Sequence, residues 1–203
     1  MNLLPFNKTI GCKTWMIPAG PQVCAAFGSE VCTHCYAAQG RFTMPSVKAV
    51  IAERLKWWRR ANLRQLDEAF RKAIGRAKYV RVFTSGDFSS VADVRKWTWI
   101  CERNPQTRFW ISTRSATRWG DAADVLAKLP NVCLRVSFGR IDDPMTSPWA
   151  RLWQFSKTVT TPVTCRKCNE GSCGDCRRCW DKNEEVVEYK LHGHKVNWEG
   201  KDK

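Results

Sequence analysis

Eleven cysteines in 203 residues offer the densest chemistry in this sequence, and eight of them fall into two short groups. Cys24, Cys32 and Cys35 stand in VCAAFGSEVCTHCYAAQG with the spacing C-x7-C-x2-C, and Tyr36 follows the last of them. Cys165, Cys168, Cys173, Cys176 and Cys179 stand in TCRKCNEGSCGDCRRCW; skipping Cys168 gives C-x7-C-x2-C-x2-C, followed by Trp180. A C-x2-C turn brings two sulfurs to one metal centre, and the intervening backbone N–H groups can point at sulfur. Zinc takes four thiolates tetrahedrally, whereas a [4Fe–4S] cluster takes one per iron. Five thiols within 15 residues are hard to read as buried packing. Both groups are therefore read as metal ligands for one or two [4Fe–4S] clusters, with zinc as the alternative.

Three thiols in the first group leave one iron of a cubane open to a small molecule. Cys12 is the competing fourth ligand that would close the site. His34, between Cys32 and Cys35, reads better as a solvated or hydrogen-bonded imidazole than as a ligand. Cys101 and Cys133 are isolated within apolar runs and read as buried thiols that behave as small apolar groups.

The odd cysteine count argues against a disulfide framework. The start, MNLLPFNKTIGCK, lacks the basic segment and long apolar core of a secretory signal. No apolar run approaches the roughly 18 to 20 residues that span a bilayer, so no membrane role is expected. A reducing cytoplasm fits these features. Lysine and arginine number 34 against 19 acidic residues, a net charge of +15. That excess points to a polyanionic partner such as nucleic acid. Trp57, Trp58, Arg59, Arg60 and Arg64 could stack on single-stranded bases. Most of the 11 tryptophans are nonetheless expected to fill the core of a small α/β unit. The basic residues Arg166, Lys167, Arg177 and Arg178 either offset the charge of the second thiolate group or bind phosphate. The pair His192 and His194 reads as a turn with solvated imidazoles.

The elements that must position these residues are clearest in the middle of the chain. Residues 1–45 read as a loop-rich, cysteine-bearing segment, 46–160 as a βα core, and 161–203 as a second cysteine cluster with a polar tail, all within one domain. Pro45 suits the first turn of a helix over 46–60. Asn62 and Gln65 form a capping-box pattern ahead of Leu63, Leu66, Phe70, Ala73, Ile74 and Ala77 at helical spacing. Residues 79–85 read as a strand. Ser90 caps a helix that ends before Pro105. Strands are expected at 107–112, 132–138 and 158–164, a helix at 121–129, and an edge strand at 187–191. Alternation of this kind implies a parallel sheet whose carboxyl edge carries the site. The strands end in Ser85-Gly86-Asp87, in Ser112-Thr113-Arg114 and in Ser137-Phe138-Gly139-Arg140.

Two resemblances follow from these motifs. KTWMIPAGPQVCAAFGSEVCTHCYAAQGRF, together with CRKC…CGDCRRCW and VVEYKLH, resembles the phage gene product 88-like family, from about Lys13 to His192. That resemblance implies a virus-encoded iron–sulfur protein working in the host cytoplasm. CTHCYA ahead of a helix, with a strand ending in Ser85-Gly86-Asp87, is similar more widely to radical S-adenosylmethionine enzymes. There a short cysteine motif holds a [4Fe–4S] cluster, and the next strand ends in a turn that holds the amino group of S-adenosylmethionine. Here the first cysteine gap is seven residues where that motif has three, and four or five strands are visible where that barrel has six. By this likeness Ser85, Gly86 and Asp87 hold the ligand and Arg114 or Arg140 its carboxylate, since arginine pairs carboxylates bidentately. The second cysteine group then corresponds to an auxiliary cluster.

The expected fold is thus α/β, a partial parallel βα barrel resembling the radical S-adenosylmethionine core with cysteine-rich loops at both ends. The expected function is an iron–sulfur protein binding S-adenosylmethionine or another small ligand at an open iron. The alternatives are a zinc- or cluster-stapled nucleic-acid-binding protein and an electron-transfer protein, neither catalytic.

Overall fold

The apolar alternation of the middle zone does build a parallel sheet, and a computed structural model gives its full extent. The structure describes residues 1–143, 154–160, 163, 165, 173, 175–191 and 194–196. Cys168, Arg166, Lys167 and His192 lie outside the described residues. Among the described residues, seven strands run in chain order across one sheet: β1 (Phe6–Asn7), β2 (Cys12–Thr14), β3 (Tyr79–Val82), β4 (Arg108–Thr113), β5 (Val132–Ile141), β6 (Gln154–Val159) and β7 (Val186–Lys190). β1 pairs antiparallel to β2, and every other pair is parallel.

Strand order that never reverses means that successive crossovers wind the same way and lay their helices on one face. Those helices are α1 (Pro45–Arg60), α2 (Leu63–Ile74), α3 (Val91–Glu102), α4 (Ala116–Trp119) and α5 (Asp121–Lys128). The expected capping box of α2 is present: Asn62 Oδ1 accepts from Gln65 N at 2.9 Å and Gln65 Oε1 from Asn62 N at 3.0 Å. Ser90 caps α3 through Asp93 N. The helix-covered face buries Val80, Val82, Phe109, Ile111, Val132 and Leu134 against Leu55, Phe70, Val94, Ile100 and Leu126. Trp15, Trp58 and Trp97 lie in the same core, with Trp58 and Trp97 stacked at 5.5 Å. These rings are core and not a base-stacking surface.

Two expectations need correction. The opening residues contain strands β1 and β2, too short to show a period. The strand expected to start at 158 starts at 154 and is described over Gln154–Val159; residues 161, 162 and 164 of that expectation lie outside the described residues. The mostly parallel α/β sheet is as expected; among the described residues no pairing joins β7 back to β1 or β2, so a barrel is not shown.

The opposite face carries the alternate residues Cys12, Tyr79, Trp110, Val187 and Tyr189, packed by Cys173, Cys179 and Trp180. Arg135, fully buried in β5, fastens that segment. Its guanidinium donates to the carbonyls of Phe155 (3.3 Å), Arg178 (3.0 Å), Cys179 (3.0 Å), Asp181 (2.8 Å) and Glu184 (2.8 Å). Residues 194–196 cross to the first cysteine loop, where Val196 N donates to Thr33 O at 2.6 Å.

Candidate metal centre

The chain leaving β2 folds through three short 3-10 turns, Glu30–His34, Tyr36–Ala38 and Gly40–Thr43, before α1 begins. Their tight backbone bonds, Cys32 N to Ser29 O at 2.9 Å and Cys35 N to Cys32 O at 3.2 Å, turn the loop back on itself. Cys24, Cys32 and Cys35 come within electrostatic reach of one another, Cys24 also of Asp87 and Cys35 of Arg114. Burial pushes the Cys24 thiol up to about 12 and raises that of Cys35. The Cys32 thiol meets Ser29 Oγ at 3.2 Å. His34 Nδ1 is engaged by Thr33 Oγ1 at 2.9 Å, as a hydrogen-bonded imidazole.

This loop is tied to the carboxyl ends of β3 and β4. Ser85 Oγ donates to Ile17 O at 2.7 Å, Ala25 N to Phe88 O at 3.4 Å, and Tyr36 Oη to Thr84 O. Gly86 has φ +79°, and a Cβ there would run into Ile17 Cγ1 and stand 2.8 Å from Pro18 O. Only glycine lets the two segments approach so closely.

The buried Asp87 carboxylate accepts from Thr113 Oγ1 (2.6 Å), Phe88 N (2.7 Å), Arg114 N (2.9 Å) and Ser115 Oγ (3.3 Å). Desolvation outweighs these donors and raises its pKa. Ser85 and Asp87 thus clasp the loops that follow β2, β3 and β4. Two donors remain unspent. Among the described residues, Arg114 Nε and Thr84 Oγ1 are buried without a hydrogen-bond partner. Arg140 is exposed on the extension of β5, so of the two basic candidates it is Arg114 that reaches the thiols.

The second group lies across the same face, toward its amino-terminal end. Cys165, Cys173, Cys176 and Cys179 line one small pocket with Arg178, Trp180, Val187 and Glu188. Cys173 N donates to Thr9 O at 2.9 Å and Trp180 Nε1 to Val80 O at 3.3 Å. Cys12 belongs here and not with the first group. It packs with Cys173 and Cys179, and burial pushes its thiol up to about 11. Cys101 and Cys133 are buried, as expected. Among the described residues, no three or more Cys, His, Asp or Glu side chains are placed so as to hold one metal ion.

Sequence reasoning missed Thr84, Tyr36 and Arg81 as site residues. Arg81 lies on the sheet face between the two thiol groups, 4.2 Å over the Trp110 ring, with Nε buried and unpaired among the described residues. A charged residue at an inward position of the run YVRV was the available signal.

Among the described residues, no helix is long and apolar enough to cross a membrane. No curated protein and no solved structure matches the chain. A family comparison matches residues 3–164 to the family described as gene product 88. The matched segment takes in the first thiol group and the sheet as far as β6, and it stops just before Cys165. By that match the chain belongs to the gene product 88 family, the phage gene-product family that its cysteine motifs resemble.

Proposed function

We propose that this is a phage iron–sulfur protein in which Cys24, Cys32 and Cys35 hold a [4Fe–4S] cluster. Its fourth iron is open to S-adenosylmethionine or another small ligand. The observation that carries this reading is three thiols of one loop within electrostatic reach of one another at the carboxyl edge of a parallel sheet, beside the unspent donors of Arg114 and Thr84. The donor set fits the group: three soft thiolates, with Cys12 on the other side.

When bound, the cluster supplies one electron to the ligand at its open iron. The protein's own residues do the rest. Arg114 Nε pairs with an anionic group of the ligand, a carboxylate in the case of S-adenosylmethionine. Thr84 Oγ1 offers a hydroxyl on the same side. Gly86 keeps the loops in contact, and Asp87 holds the Arg114 backbone in place. The host cytoplasm, with its reduced thiol pool, is the compartment that suits such a site.

The test is anaerobic reconstitution with iron and sulfide. Wild type is expected to bind about four irons and four sulfides at this group. The Cys24→Ser, Cys32→Ser, Cys35→Ser triple variant is expected to bind none there. Wild type that takes up no iron and sulfide overturns the reading. Reduced protein incubated with S-adenosylmethionine is then assayed for 5′-deoxyadenosine; a full cluster that yields none removes that ligand.

A second reading keeps a polyanion as partner, because Arg59, Arg60, Arg64, Arg71, Lys72 and Arg76 are all exposed around α1 and α2. With the buried tryptophans unable to stack on bases, that contact is to phosphate. Its affinity for a DNA or RNA oligonucleotide therefore falls steeply with salt. Affinity indifferent to salt removes this reading.

A further inference from the structure

We infer that Cys165, Cys173, Cys176 and Cys179 form a mononuclear zinc site, distinct in metal from the first thiol group and independent of how that group is read. Three observations converge. The four thiols line a single small pocket. Cys165 Sγ and Cys176 Sγ stand 3.9 Å apart. Zinc–sulfur bonds of about 2.3 Å at tetrahedral angles place neighbouring sulfurs about 3.8 Å apart. On a cubane each thiolate sits on a different iron, which spreads the sulfurs to about 6 Å. Zinc binding would draw Cys173 and Cys179, which line the same pocket, toward that pair.

Charge is the third observation. Four thiolates around Zn²⁺ carry a net charge of −2. Arg135 is fully buried, hydrogen-bonds five backbone carbonyls of and beside this segment, and lies within electrostatic reach of Cys179. Arg81 is within the same reach of Cys179, and Arg177 stacks on Tyr79 and Trp180 at 4.7 and 5.5 Å. Besides these carbonyls Arg135 has the Glu184 carboxylate within electrostatic reach, and a dianionic site beside it would add to the balance of its buried charge. Tyr189 Oη donates to Cys179 Sγ at 3.3 Å, an outer hydrogen bond of the kind that steadies a metal-bound thiolate. Binding needs no oxidant: each thiol releases its proton to solvent and its sulfur lone pair bonds zinc.

The test uses the full chain with Cys24, Cys32 and Cys35 all changed to serine, which silences the first group. Metal analysis is expected to find about one zinc per chain in this protein. Adding Cys173→Ser and Cys176→Ser is expected to bring zinc below about a tenth of that value. Because the further variants can fail to fold, cobalt(II) is also titrated into the metal-stripped triple variant. One equivalent is expected to develop sulfur-to-cobalt charge transfer and the visible bands of a tetrahedral tetrathiolate. Iron in place of zinc in the triple variant, zinc retained after Cys173→Ser and Cys176→Ser, or cobalt spectra without thiolate bands each overturn the inference. Failure of cluster assembly at the first group leaves this result untouched, so the two proposals fail separately.

Discussion

Gly86 shows how one residue holds the candidate site together. Its φ of +79° and the Pro18 carbonyl 2.8 Å from where a Cβ would stand leave no place for a side chain. Gly86→Ala is therefore expected to cost about 2–4 kcal/mol, through backbone strain and overpacking together. It is also expected to part the cysteine loop from β3, so that reconstituted iron falls along with the urea midpoint. Unchanged iron content in a folded Gly86→Ala protein contradicts this. Cys101 tests burial by itself, away from both thiol groups. Desolvation raises its pKa well above the usual 9.0, so the folded state keeps the proton that the unfolded chain gives up. The stability this brings is complete below about pH 9 and is lost as pH rises toward the folded value, at about 1.4 kcal/mol per pH unit. Urea titrations between pH 8 and 11 are expected to show a slope shallower by one proton in Cys101→Ala than in wild type. Parallel curves contradict it.

Among the elements, α3 joins the aromatic core to the loop that follows β3. The buried Asp93 carboxylate accepts from Trp58 Nε1 at 2.6 Å, Ser89 N at 2.9 Å and Ser89 Oγ at 2.6 Å. Asp93→Ala leaves an indole N–H and a backbone N–H unpaired and is expected to cost about 2–4 kcal/mol. A conservative Asp93→Asn, which keeps an acceptor, is expected to recover part of that loss in the same thermal unfolding assay. The helices and the strands β3 to β5 were legible in the sequence because their caps and apolar periods are local. Strand β2 was not, since three residues cannot display a period and their pairing partner lies more than sixty residues away in β3. The thiol groups were legible from type and spacing alone. The partners that seat them were not: the Tyr36 hydroxyl on the Thr84 carbonyl, and Cys12 beside Cys173, are contacts between distant segments. Arg135 was hidden for the same reason, a lone cation in the apolar run VCLRVSF whose five acceptors all lie elsewhere in the chain.

At the scale of the whole molecule, one face of the sheet is closed by helices and the other by the segment that carries the second thiol group. Arg135 is the fastening between that segment and the sheet. Arg135→Met removes its hydrogen bonds to five carbonyls, of which Arg178 O and Asp181 O keep a backbone donor, and is expected to cost about 3–5 kcal/mol. Protease should then cut within 178–184 while the helical core stays protected. Uniform loss of protection across the chain contradicts a local clasp. The other end of the same face is where the central claim lies. The most direct measurement is electron paramagnetic resonance of the reconstituted, dithionite-reduced protein with and without S-adenosylmethionine. The account predicts the signal of a reduced [4Fe–4S] cluster that changes on adding the ligand and is absent from the Cys24→Ser, Cys32→Ser, Cys35→Ser variant. A signal that survives in that variant, or no cluster signal from wild type, contradicts it.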